Sequence, residues 1–259
     1  MLTRILTGVL LAPLVILLFL FGPEWAKAGL VIVAGALCLA ELYTMAMPER
    51  RVERWVGIAL GAGLMMSMWL APESDVGDWL PALVVPALVV VMRPDPIDRA
   101  AFRLFALWAG VVYVAVPFYY GVSLATESQP WILYVLAVVW GGDTAAYFAG
   151  RAFGKHKLHP KVSPKKTIEG AIGGLVGSVG VGLLMVALLE LPLPAWKTAL
   201  FAVAGGALAQ LGDLTESLVK RACGVKDSGT LLPGHGGMLD RVDGVIFAFP
   251  FFAWALSLG

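Results

Sequence analysis

The chain has 259 residues, 59% of them hydrophobic and only 14% charged, with mean hydropathy +0.83. Soluble domains carry about 25% charged residues, so this composition excludes a water-soluble globule and points to an integral membrane protein. The formal net charge of +1 gives no general attraction to nucleic acid. Cys38, in an apolar run, and Cys223, in a polar one, argue against a disulfide framework.

A membrane span needs about 20 predominantly apolar residues. The first, about 4–21, opens "MLTRILTGVLLAPLVILLFLFGPEWAKA". Arg4, the apolar stretch and Ala26-Lys27-Ala28 imitate a signal peptide. The stretch exceeds the usual length of about 7–15 residues, which predicts an uncleaved first span. Further segments follow at about 26–46, 53–71, 76–92, 103–125, 131–150, 170–190, 196–219 and 242–258. The fourth is short and carries Pro81 and Pro86; the eighth should continue past the membrane surface. All should be helical, because a lone strand would leave backbone groups unpaired in lipid. The expected fold is therefore an all-α, polytopic transmembrane bundle of about nine spans. Residues 1–125 would form a lipid-embedded support, and 126–259 a region carrying the polar loops 151–169 and 220–241.

Basic residues favour cytoplasmic loops. With alternating sides, Arg4, Arg50, Arg51, Arg54, Arg93, Arg99, Arg103, the bases of 151–166, Lys220, Arg221, Lys226 and Arg241 all fall on one face; only Lys27 and Lys197 do not. This predicts a cytoplasmic N-terminus, an outer C-terminus and both long polar loops inside. In the seventh span, Gly170, Gly174, Ser178 and Gly182 recur every four residues, with Gly173 and Gly177 beside them. Such a ladder can cradle phosphate, but inside a span close helix packing fits it better.

Ionisable residues within spans are costly and usually have a partner or a task. Glu41, Asp143, Asp213 and Glu216 all lie toward the expected cytoplasmic ends of their helices. Asp213, Glu216, Ser217 and Lys220 share one helical face, and Asp240 and Asp243 stand three apart before the last span. Carboxylates with open water positions suit Mg2+; salt bridges to the neighbouring bases would also explain them. Glu41 fits a functional part and a solvated helix end equally. Segment 151–169, "RAFGKHKLHPKVSPKKTIE", holds six bases, two histidines and one acid. Ser163, Lys165, Lys166 and Thr167 precede a helix start, where N–H groups favour phosphate. Basic groups with acid-held Mg2+ are a common answer to a polyphosphate. Gly150–Lys155 falls one residue short of a phosphate-binding loop, no HExxH or paired CxxC occurs, and the three histidines are scattered. His235, among Gly234, Gly236 and Gly237, either approaches a ligand or caps backbone.

The run "SLVKRACGVKDSGTLLPGHGGMLDRVDG", residues 217–244, closely resembles the signature of the phosphatidate cytidylyltransferases, or CDP-diacylglycerol synthases. Ser217, Lys220, Arg221, Lys226, Asp227, Gly229, Leu232, Pro233, His235, Gly236, Gly237, Met238, Asp240, Arg241 and Asp243 meet it without departure. "WGGDTAAYFAGRAFGKHKL", "SPKKTIEG" and "QLGDLTESLVKR" are similar to further segments of the family. The N-terminal half matches only in hydropathy and in Glu41. The resemblance implies that CTP and phosphatidic acid react to CDP-diacylglycerol and pyrophosphate, with Mg2+ as one or two cations, in a homodimer with no nucleic-acid partner. It implies metal-binding Asp213 and Asp240 with Asp243 in support; Lys220, Arg221, Ser217, Lys226 and Arg241 around the phosphates; and Ser163, Lys165, Lys166 and Thr167 on nucleotide or lipid phosphate. Asp143 and His235 join as substrate-side residues. Such an enzyme would sit among the lipids of a bacterial inner membrane with its active site facing the cytoplasm. A transporter of an anionic substrate is the alternative; it requires polar residues through the full membrane depth, whereas the outer halves of these spans are nearly all apolar.

Overall fold

The computed structural model describes residues 13–127, 130–231 and 236–257. Arg4 with the beginning of the first expected span, and His235 in the glycine run, lie outside the described residues.

The chain forms two compact units, one from the helices up to Thr126 with Asp227–Arg241, the other from Glu127–Lys226 with Val242–Gly259. The first unit contains α1 (residues 13–21), α2 (Glu24–Ala46), α3 (Arg51–Leu70), a 3-10 helix (Val76–Leu83) leading into α4 (Val84–Met92), α5 (Ala100–Gly110) and α6 (Val116–Thr126). A π turn over Val111–Ala115 joins α5 to α6. The second contains α7 (Trp131–Phe153), strands β1 (Lys157–His159) and β2 (Ser163–Thr167), α8 (Ile168–Leu188) and α9 (Ala195–Ala222). The last helix, α10, runs over Leu239–Ser257. Prolines set several starts: Pro23, Pro130 and Pro194 immediately precede α2, α7 and α9. A proline has no N–H to donate, which costs nothing where a helix begins.

Five helical stretches are long and apolar enough to cross a membrane: Glu24–Ala46, Ile97–Thr126, Trp131–Phe153, Ile168–Leu188 and Ala195–Ala222. The remaining expected spans differ for physical reasons. Helices α3 and α10 open on clustered charges (Arg51, Glu53, Arg54; Asp240, Arg241, Asp243) that dilute their apolar stretch. Val76–Met92 is a shorter apolar helix. Pro81 sits inside its 3-10 portion; at about 2.0 Å per 3-10 residue and 1.5 Å per α residue, this segment extends about 30 Å.

In the first unit, α2 buries Val31, Gly35, Cys38, Leu39 and Leu42, at the three-to-four spacing of one helix face, and packs on α3 and α6. Arg103 and Glu53, 4% and 3% exposed, form an ion pair of 2.6 Å. Arg103 also donates to the carbonyls of Arg93 and Pro94, tying the α4–α5 connection to α3. In the sequence Arg103 stood out only as a base at a span end, and Glu53 did not stand out.

In the second unit, the four residues that α8 buries are Gly170, Gly174, Ser178 and Gly182, the small-residue ladder of the sequence. Cβ atoms at Gly173 and Gly177 would run into Ala149 and Ala145 of α7, and Ser178 donates to the Val138 carbonyl at 3.0 Å. The ladder is thus a packing face, as small residues allow helices to approach closely.

The two polar connections differ from simple loops. Residues 157–167 form an antiparallel ribbon, with Lys157 opposite Thr167 and His159 opposite Ser163, the one departure from an all-helical chain among the described residues. Helix α9 extends through Lys220 and Arg221, so the second connection is only Cys223–Met238.

Candidate active site

Strand β2 alternates its side chains between faces. Lys166 turns to α9 and pairs with Asp213 at 2.5 Å, while Lys165 is exposed. Ser163 is half-buried at the start of the strand. Thr167 is buried and caps α8, accepting the Gly170 N–H at 3.1 Å. Glu169, in the first turn of α8, folds back to accept the N–H groups of Lys155 and His156 and meets His156 Nδ1 at 2.6 Å. The Thr167 hydroxyl and the Glu169 carboxylate thus both accept backbone N–H groups around this helix start.

One turn along α9 from Asp213, buried Glu216 pairs with Lys220 at 2.5 Å. The i,i+4 spacing places both on one helix face. Helix α10 contributes Asp243, which accepts the Gly244 N–H at 2.8 Å and lies within electrostatic reach of Asp213, Glu216 and Asp143. Asp143 of α7 lies within reach of Asp213 and Lys166. Asp143 and Asp243 take part in no ion pair among the described residues. The second unit thus gathers four carboxylates from three helices, two of them neutralised by lysines. Ser217 is half-buried, and Arg221 and Lys226 are exposed, with Arg221 donating to the Val225 carbonyl at 3.5 Å.

The first unit holds a different carboxylate pair. Asp240 Oδ2 accepts from the Ser228 N–H at 3.0 Å, the Ser228 hydroxyl at 3.0 Å and the Gly237 N–H at 2.8 Å. Glu41 of α2 accepts from Ser228, Met238 and Leu239. Arg241 is exposed in the first turn of α10. Sequence reasoning left Glu41 undecided and passed over Ser228. Glu41 was signalled by the cost of a carboxylate inside a span and by the family resemblance, whereas the loop residue Ser228 carried no signal.

Among the described residues, no group of three or more His, Cys, Asp or Glu side chains is arranged to hold a metal ion by itself. Mg2+ commonly takes one or two carboxylates and completes its shell with water and substrate phosphates. The donor set of Asp213, Asp243 and Asp143, anionic in excess over its lysines, fits that pattern. Asp240 turns its Oδ2 atom to three hydrogen donors.

The sequence model of the cytidylyltransferase family matches residues 2–258. A protein of Staphylococcus epidermidis named phosphatidate cytidylyltransferase is 36% identical over 245 residues, covering 91% of this chain and 94% of that protein. One of Bacillus subtilis bearing the same name is 33% identical over 270 residues, covering 98% and 97%. One of Staphylococcus aureus, again so named, is 36% identical over 247 residues, covering 91% and 94%. Apolar helices, an acid–lysine cluster at their ends and a match over nearly the whole length agree: the chain belongs to the cytidylyltransferase family.

Proposed function

We propose that this chain transfers the cytidylyl group of CTP to phosphatidic acid, giving CDP-diacylglycerol and pyrophosphate. The observation that carries the reading is the cluster of Asp143, Asp213 and Asp243 with Lys166, within a chain whose relatives bear that enzyme's name. Phosphatidate keeps its tails in lipid while CTP comes from water, so their phosphates can meet only near the membrane surface.

A phosphate oxygen of phosphatidate attacks the α-phosphorus of CTP. The bond from that phosphorus to the α,β-bridging oxygen breaks, and pyrophosphate leaves with the electron pair. The nucleophile is already an anion, so no covalent enzyme intermediate is required. The obstacle is repulsion between two polyanions, and fixed positive charge at the reacting phosphates lowers it. Lys166 and Lys220 are held in place by Asp213 and Glu216 and would meet phosphate without reorganising. Lys165, Arg221, Lys226 and Arg241 are exposed and would gather the nucleotide and lipid phosphates, with Ser163 and Ser217 adding hydroxyl donors. Asp213 and Asp240, with Asp243 in support as the family resemblance implies, would hold Mg2+, which when bound supplies further charge neutralisation at the leaving pyrophosphate. Asp240 holds the glycine loop, and Thr167 the start of α8.

The same proposal includes nine crossings, a cytoplasmic N-terminus and an active site on the cytoplasmic face of a bacterial inner membrane. Reporter tags on the 157–167 ribbon and on the 223–238 loop should both report from the cytoplasm; opposite sides would refute the topology. Purified protein with Mg2+, labelled CTP and phosphatidate should form CDP-diacylglycerol. Folded protein that yields no product across several detergents and lipids would overturn the reading.

A further inference from the structure

Glu41 takes no part in the chemistry above, yet three donors converge on it. The Met238 N–H reaches Oε1 at 2.8 Å, and the Leu239 N–H reaches Oε2 at 2.9 Å. The Ser228 hydroxyl lies 2.8 Å from Oε2. The first N–H groups of a helix have no acceptor within it, and a negative charge there also meets the positive end of the helix dipole. Glu41 thus caps α10 from a residue 197 positions away in sequence.

Two glycines of the loop follow from the same contact. A Cβ at Gly229 would stand 2.7 Å from Glu41 Oε1. One at Gly237 would collide with Glu41 Oε2 and Ser228 Oγ. Any larger residue at either position would displace the carboxylate. Ser228 joins the cap to its neighbour, since its hydroxyl reaches both Glu41 Oε2 and Asp240 Oδ2 and its single hydrogen serves one at a time.

We propose that Glu41 is a positioning residue for cytidylyl transfer: it pins the glycine loop and the first turn of α10, the helix that carries Asp240, Arg241 and Asp243. This rests on the activity proposed above. Both oxygens of Glu41 accept an N–H, so glutamine must set an NH2 group against one of these donors whichever way it turns. Aspartate keeps two acceptor oxygens on a side chain one methylene shorter.

The test uses the full-length enzyme in detergent. Glu41→Gln should lower kcat roughly 10- to 100-fold, the scale of charge-assisted hydrogen bonds lost, with KM for CTP little changed. Trypsin should cut faster after Lys226, and Glu41→Asp should recover part of both properties. Gly229→Ala, which displaces the carboxylate without removing it, should lower kcat in the same direction. It supplies the answer if Glu41→Gln does not fold. Wild-type kcat in a folded Glu41→Gln or Gly229→Ala enzyme would overturn the proposal. So would a fall in yield or melting temperature with kcat per folded molecule intact, which would make the residue purely structural. If the wild-type enzyme itself makes no product, the activity reading fails, while the trypsin comparison still decides whether Glu41 holds the loop.

Discussion

The two units use carboxylates in opposite ways. In the first, Glu41 and Asp240 are surrounded by N–H and O–H donors of one loop, and Glu53 is locked to Arg103. Hydrogen bonds to fixed backbone give such groups one geometry. In the second, Asp143, Asp213, Glu216 and Asp243 face one another and two lysine side chains. Their counter-charges are lysine ammonium groups on side-chain stems rather than backbone donors. The difference teaches that acids borne on membrane helices are satisfied in two ways, by the fixed N–H groups of a loop or by the charges of other side chains.

The largest effect should come from breaking the architecture. Arg103→Leu leaves Glu53 buried without its counter-charge and should cost about 3–5 kcal/mol, read as a lower unfolding midpoint in detergent. If the contrast holds, kcat per folded molecule stays near wild type; a large loss would show that this ion pair is not merely architectural. Asp213→Asn should do the reverse, lowering kcat by about 100-fold while the protein still elutes as a folded species. Lys166→Ala should be markedly non-additive with it, as expected for residues in direct contact. Additive losses would break the assignment of these two to one site. Gly212→Ala sharpens the comparison where α9 meets α10. Its Cβ would stand 2.5 Å from the Asp243 carbonyl oxygen. A backbone atom cannot rotate aside, so the melting temperature should fall by the equivalent of about 1–3 kcal/mol and activity should fall with it. The smallest effect is expected at Cys223, just beyond α9. Burial pushes its thiol up from the ordinary value, so less thiolate exists at neutral pH and alkylation should be slow, accelerating as pH rises. Cys223→Ser should change stability by less than about 0.5 kcal/mol. Rapid alkylation at neutral pH would contradict the half-buried position.

The helices were legible because a bilayer admits few alternatives: long apolar runs must satisfy their own backbone, and prolines and glycines mark where they begin and how they pack. The Gly170–Gly182 ladder could be read as a packing face for the same reason. Residues 217–244 displayed the family through their order of acids, bases and glycines. The ribbon at 157–167 was not legible, because a segment of lysine, histidine and proline has neither period strongly. Nor was the cap that Thr167 provides to α8, because the residue type before a helix does not by itself tell a cap from a phosphate ligand.

Composition and periodicity, then, determined by themselves a membrane-embedded helical protein whose charge gathers at the helix ends, since both are consequences of what lipid excludes. Which carboxylate meets a lysine and which meets a backbone N–H was decided only by the tertiary structure. Glu41 and Met238, or Glu53 and Arg103, are far apart along the chain, and a hydrogen bond depends on a few tenths of an ångström between atoms that folding alone brings together.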